Sequence, residues 1–294
     1  MDGSISRRQV MLGLLSVSCA RASRGSATSI RTGPPLWRVN GGASRVFLFG
    51  QMPIPKGIDW LKPEIEAAFD ESDEVWFENP DFDPSTAGPA IQKRIALGGP
   101  KLGATISEPD RQRLGDALQK AGRPPEALDG QLVWESYLAV SDLVDALSGV
   151  DPASLPERLL KPRAKASGKT IHSEWSSMEE IMEFSSEHTL EQQLQLIGKT
   201  LDEVKSTHEV QRLAEAWASG DISEAEAQDR NFRSRYPELS TRLVSERNRE
   251  WALRVADMLE RNKSTFVCVG LGHLVGPESI QSYVAGRGLK TLRV

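Results

Sequence analysis

The segment Ser264–Val294, STFVCVGLGHLVGPESIQSYVAGRGLKTLRV, constrains the fold more than any other. It opens on an unbroken apolar run, Thr265-Phe266-Val267-Cys268-Val269, and turns through Gly270-Leu271-Gly272-His273. Five β-prone residues without polar alternation predict a strand buried on both faces, as in a parallel sheet. Glycines just beyond such a strand let the backbone turn tightly at its carboxyl end, where ligand sites of open α/β sheets lie. His273 at that point is a candidate proton carrier or metal ligand, although a histidine beside a strand end also serves structurally. A helix over about residues 277–285 and a short final strand complete the segment.

Four more apolar runs fit the same sheet. Leu36-Trp37-Arg38-Val39 and Arg45-Val46-Phe47-Leu48-Phe49 flank the turn Asn40-Gly41-Gly42 and read as a hairpin. Glu74-Val75-Trp76-Phe77-Glu78 is a strand ending in a carboxylate; Glu78 is either a site residue or a solvent-facing terminus. Lys169-Thr170-Ile171-His172-Ser173 is a fourth strand. Helices are expected over Asp59–Phe69, from the capping pattern Ser107-Glu108-Pro109-Asp110 to Ala121, over Leu128–Leu147, and almost continuously over 176–262 with breaks near Thr189, Gly220 and Pro237. Residues 85–103 read as irregular and 151–161 as a proline-bounded connection. His188 and His208 fall in polar surroundings and are expected at the surface.

The N-terminus reads as a targeting segment. Arg7-Arg8 precedes a short apolar core, and Ala20-Arg21-Ala22 offers small residues for cleavage, so residues 1–22 resemble a twin-arginine export signal. The apolar run is too short to span a bilayer, and no transmembrane segment is expected in the mature chain. Export places the protein in the periplasm or outside the cell; a lipid on Cys19, giving a membrane anchor, is the alternative. Residues 23–35, rich in Ser, Arg, Gly and Pro, read as a flexible leader. Cleavage would leave Cys268 as the only cysteine, without an internal disulfide. A net charge of −5 with scattered lysines and arginines gives no footprint for nucleic acid.

Several motifs together carry a resemblance. Phe266-Val267-Cys268-Val269-Gly270-Leu271-Gly272-His273-Leu274-Val275-Gly276 looks like the C-terminal signature of the TraB/GumN family, which includes the Tiki metalloproteases. Ser245-Glu246-Arg247-Asn248-Arg249-Glu250-Trp251-Ala252 resembles the family's E-R-N-x-x-x-A helix. Glu78 takes the place of the family's acidic strand end, and Gly168-Lys169 through Glu174 resembles its stretch ending in a second acid. Gly50-Gln51-Met52-Pro53 stands where the family reads Gly-x-x-His, so Pro53 replaces a histidine. His172, two residues before Glu174, is a candidate substitute imidazole.

The resemblance covers Leu36 to Val294 and implies an α/β fold: a single domain over 36–294, with a central mixed sheet surrounded by helices and a large helical insertion or cap at about 85–165. It implies a divalent-metal-dependent, peptidase-like hydrolase acting on a peptide or small-molecule substrate. Glu78 and His273 would hold the metal. Glu174 would act as base or outer group, and Arg247 and Asn248 would stabilise an oxyanion. Gly50, Gly270 and Gly272 would shape the binding edge. A proline cannot ligate a metal, so Pro53 shifts any site toward carboxylate oxygens and harder ions such as Mn²⁺. The other class open to such a chain is a non-catalytic binder of a tetrapyrrole or another small molecule.

The export reading predicts a mature N-terminus near Ser23 and loss of export when Arg7→Lys and Arg8→Lys are combined. Mass spectrometry of the exported protein checks it; an intact Met1 would contradict it.

Overall fold

The computed structural model describes residues 33–81, 84–150 and 152–294. The expected export signal, Cys19 and the leader before Gly33 lie outside the described residues. Strands β1 (Leu36–Gly41) and β2 (Ser44–Gln51) form a hairpin, followed by helix α1 (Pro63–Asp70) and strand β3 (Glu74–Phe77). Helices α2 (Pro84–Ala96), α3 (Leu102–Thr105), α4 (Glu108–Lys120), α5 (Val133–Ser148) and α6 (Pro156–Ala166) lead to strand β4 (Thr170–Ser173). Next come α7 (Met178–Ser186), α8 (Leu190–Leu201), α9 (Thr207–Ala218), α10 (Ser223–Arg235), α11 (Pro237–Ser240) and α12 (Glu246–Leu259). Strand β5 (Ser264–Gly270), a 3₁₀ turn (Leu271–Leu274), α13 (Ile280–Ala285) and β6 (Thr291–Arg293) close the chain. Contacts divide it into two compact units. A helical unit comprises Asn79–Pro152 with Glu174–Val210; a sheet unit comprises the described residues up to Glu78, Ala153–Ser173 and Gln211–Val294.

Among the described residues, the sheet unit holds six strands in the order β4-β3-β5-β2-β1-β6. Strands β4, β3, β5 and β2 run parallel, whereas β1 is antiparallel to both β2 and β6, so the sheet is mixed. The five apolar runs seen in the sequence are five of these strands. Phe47, Val75, Phe77, Phe266, Val267 and Val269 are all buried, as the continuous apolar patterns require. Alternate residues feed opposite faces. Phe47, Phe49, Phe77 and Phe266 pack with α1, α6 and α9 through Phe69, Leu160 and Trp217. Val46, Leu48, Val267 and Val269 pack with α12 and α13 through Trp251, Val255, Met258 and Val284.

Two segments without a helical expectation are helices. Helix α6 begins with Pro156 in its first turn, where the missing N–H has no intrahelical partner to lose, and it buries Leu160 and Ala164 against the sheet. Helix α2 forms despite Pro89 in its interior. Ile91 and Ile95 pack there against Met178, Ile181 and Met182, and this packing outweighs the proline. The expected helix from Asp59 starts at Pro63 instead; Trp60 stays outside it and stacks on Phe49, with ring centroids 5.6 Å apart.

In the helical unit, α4 is capped as its sequence predicts: the Ser107 hydroxyl accepts from the Asp110 N–H at 3.3 Å. Helix α8 carries a reciprocal cap between Thr189 and Gln192. His188 is buried at 4% exposure, which corrects the surface placement. Its Nδ1 lies 2.8 Å from the Phe184 carbonyl, and its ring meets the Phe184 ring edge-on. The polar neighbours Glu187 and Thr189 hid this inward turn at the end of α7; His208 is exposed as expected.

Helix α5 packs against α8 and carries two carboxyls whose protonation is displaced. Burial and the charge of Asp145 push Asp142 up to about 7. Burial and the charge of Glu203 push Asp145 up to about 7. Each acid is raised above its unfolded value near 4, so the stability it allows is complete below about pH 4 and declines as pH rises toward 7. Asp145→Asn is therefore expected to stabilise the protein at pH 8 by about 2 kcal/mol and to have little effect at pH 4. Urea unfolding at the two pH values checks this; an equal effect at both would contradict it.

Candidate functional site

Three neighbouring parallel strands end at one edge. Gln51 of β2 is in register with Gly270 of β5, and Phe77 of β3 with Cys268, so Glu78 follows immediately beside the end of β5. Glu74, Trp76 and Glu78 alternate onto one face of β3. Helix α12 meets that row. Arg247 Nη2 donates to Glu78 Oε2 at 2.9 Å, the Trp251 ring meets the Trp76 ring edge-on at 6.0 Å, and the Arg254 guanidinium lies 5.9 Å over Trp76. Just beyond the helix, Arg261 Nη1 is 3.7 Å from Glu74 Oε1.

A π-helical turn, Thr241–Ser245, delivers the chain into α12. Such widened turns recur at functional sites. It is followed directly by Glu246, Arg247 and Asn248. At the end of β5, Gly270 has no side chain to fill the space, and its N–H donates to Glu78 Oε1. A Cβ at Gly270 would stand 3.1 Å from that same oxygen. The 3₁₀ turn then places His273, which is 1% exposed. Close approach of this turn to β2 requires Gly50, where a Cβ would sit 2.8 Å from Leu271 Cδ1.

The polar contacts orient His273. Glu278's carbonyl can only accept, so the Asn248 Nδ2 amide faces it, at 2.7 Å. Asn248 Oδ1 then faces His273 Nδ1 at 2.6 Å and must accept from it. Nδ1 therefore carries a proton, and in the neutral ring the lone pair lies on Nε2. His273 Nε2 is buried without a hydrogen-bond partner and lies 3.7 Å from Glu78 Oε2. Burial alone would raise the Glu78 pKa. A protonated His273 ring, the Arg247 guanidinium and the Gly270 N–H outweigh it and hold the carboxyl well below the usual carboxylate range.

Of the residues singled out in the sequence, Glu78, Arg247, Asn248, Gly270 and His273 come together in the sheet unit. Gly50 and Gly272 are buried in the strand and turn that support them. Glu174 is half-buried and belongs to the helical unit. Pro53 is half-buried two residues beyond the end of β2. His172 is engaged elsewhere: it stacks on Trp76 with centroids 4.6 Å apart, and its Nε2 lies 3.4 Å from Glu74 Oε2. Cys268 is fully buried, and burial with the nearby Glu157 and Glu78 charges pushes its thiol up, away from nucleophilic use.

Two groups escaped the sequence reading. Glu278, whose carbonyl orients Asn248, follows a glycine–proline turn with no local signature. On the other face of the sheet edge, the buried Lys161–Glu157 pair, at 2.6 Å, is tied to β2 by Gln51, which bonds Glu157 through both ends of its amide.

A model of the TraB/PrgY/gumN family matches residues 35–293 of this chain. No curated protein and no solved structure matches it.

Replacing Glu78 by glutamine is expected to destabilise the fold by roughly 3 kcal/mol at neutral pH, because a buried guanidinium loses its carboxylate. A depressed acid contributes stability that is present above its unfolded pKa near 4.3 and is lost as pH falls toward the folded value. The gap between wild type and Glu78→Gln should thus be full above pH 5 and narrow progressively below pH 4. Denaturant titrations across that range check it; a gap independent of pH would contradict it.

Proposed function

Because the chain belongs to the TraB/PrgY/gumN family, we propose that it is an exported hydrolase of peptide-like substrates, working with a weakly held divalent metal such as Mn²⁺. One observation carries this reading: the buried Nε2 of His273, which has no hydrogen-bond partner, faces Glu78 Oε2 across 3.7 Å. An imidazole nitrogen and a carboxylate oxygen at that separation can both reach one cation at about 2.1 Å. The donor set also limits the affinity. Arg247 already engages the same carboxylate oxygen, and no group of three His, Cys, Asp or Glu suited to a metal occurs among the described residues. A bound divalent ion would supply Lewis acidity toward a scissile carbonyl and a more acidic water.

The side chains take distinct parts in this reading. Glu78 and His273 hold the cation. Asn248 keeps the His273 proton on Nδ1 and its Nε2 lone pair directed at Glu78. Both ends of the Asn248 amide are engaged, so we assign it to orientation and leave oxyanion stabilisation to Arg247, whose planar fork suits a developing negative charge. Export rests on the N-terminal arginine pair, and no described helix is long and apolar enough to cross a membrane.

A second reading, a non-catalytic binder of a small molecule, is favoured by Pro53 and by the charge that Arg247 already neutralises. Calorimetry separates the two. Wild type should bind Mn²⁺, while His273→Ala and Glu78→Ala should lose binding and remain folded, and His208→Ala should behave as wild type. Pro53→His should raise affinity about tenfold, ~1.4 kcal/mol. If wild type takes up no divalent metal and hydrolyses nothing in a peptide library, the binding reading replaces the hydrolase.

A further inference from the structure

The geometry points to Glu278 as a positioning residue that, with Ser245, sets the tautomer of His273. This assignment rests on the reading above only for what the His273 lone pair is used for; the positioning itself stands on the hydrogen bonds.

Glu278 holds α12 at two points. Its side chain accepts from the Ser245 hydroxyl at 2.7 Å, and its backbone carbonyl accepts from Asn248 Nδ2 at 2.7 Å. Ser245 ends the π-helical turn, and Asn248 lies within the first turn of α12. The two bonds therefore fix both the position and the rotation of the start of the helix against the turn that follows His273. The Tyr283 hydroxyl donates to the other Glu278 oxygen at 3.2 Å, and the Arg249 guanidinium lies 5.4 Å over the Tyr283 ring. Glu278 is thus anchored on both oxygens, and its carbonyl has little freedom to turn away from Asn248.

The turn itself is built to hold this place. Gly276 has φ +76°, and a Cβ there would fall 2.0 Å from Asp229 Oδ2. Only glycine allows the chain to pass the buried Asp229 and present Glu278 two residues later. Ser245 is 1% exposed and Asn248 fully buried, so water offers no ready substitute partner for either. Without the Glu278 carbonyl the Asn248 amide could rotate by half a turn. Its Nδ2 would then face His273 Nδ1, which would have to accept, and the ring proton would move to Nε2. The lone pair would be lost from the face toward Glu78.

Long-range ¹H–¹⁵N correlation spectra of the full chain, ¹⁵N-labelled at histidine and recorded without added metal at pH 8.5, test the assignment. Wild type should show His273 with a protonated-type Nδ1 and an unprotonated-type Nε2. Glu278→Ala and Ser245→Ala should draw the two nitrogen shifts together as the Nε2–H form becomes populated. Glu278→Gln, which still accepts from Ser245 through its amide oxygen, should keep the wild-type pattern. A purely structural role for Glu278 would lower the unfolding midpoint without moving the tautomer. An Nε2–H form in wild type, or unchanged shifts in a folded Glu278→Ala or Ser245→Ala, would overturn the proposal; should Glu278→Ala not fold, Ser245→Ala decides alone. The spectra need neither metal nor substrate. A wild type with the expected tautomer that binds no metal therefore removes the hydrolase reading and leaves the positioning role standing.

Discussion

The buried pair between Glu78 and Arg247 is the contact on which the sheet edge depends. A carboxylate at 14% side-chain exposure and a guanidinium at 6% have both left water. Such a pair seldom adds net stability over an apolar contact, but removing either partner is expensive. Its consequence is therefore one of place. It fixes the end of β3 against the start of α12, and with the Gly270 N–H it fixes the same carboxylate against the end of β5. Three elements distant in sequence meet on one side chain.

That contact belongs to a longer row. Glu74, Trp76 and Glu78 on β3 meet Arg261, Trp251 and Arg247 from the helical side, carboxylate to arginine at each end and indole to indole between. The row runs the length of the strand, so α12 cannot slide along it without breaking all three contacts. The position of Asn248, one residue after Arg247, and hence the orientation of His273, follows from this register. On the proposed hydrolase reading, that fixity holds the reacting groups in place before the substrate arrives.

Much of the fold was legible in the chain. The unbroken run from Thr265 to Val269 marked a strand buried on both faces, and β5 lies between β2 and β3 with alternate side chains in two cores. Ser107 marked the start of α4 through the chemistry of an N-cap. Less legible were α2 and α6, where prolines read as boundaries although Pro156 sits harmlessly in a first turn and the interior Pro89 and Pro162 are carried by helices packed on their cores. His188 was misread because burial is set by the helix it ends, not by the polarity of its neighbours in sequence. In the site, Glu78, Arg247, Asn248, Gly270 and His273, which the family motifs singled out, lie together. Glu278 could not be read, since it acts through a backbone carbonyl, which any residue type carries.

The replacement of a motif histidine by Pro53 leaves one imidazole and one carboxylate at the edge, with an arginine already on the carboxylate. The central claim is that this pair still takes a divalent ion through His273 Nε2. Pulsed electron paramagnetic resonance of Mn²⁺ added to ¹⁵N-histidine-labelled protein tests it most directly. The account predicts a ¹⁵N coupling from one directly bound imidazole that disappears in His273→Gln. A bound Mn²⁺ spectrum without nitrogen coupling, or one identical to the aqueous ion, would contradict it.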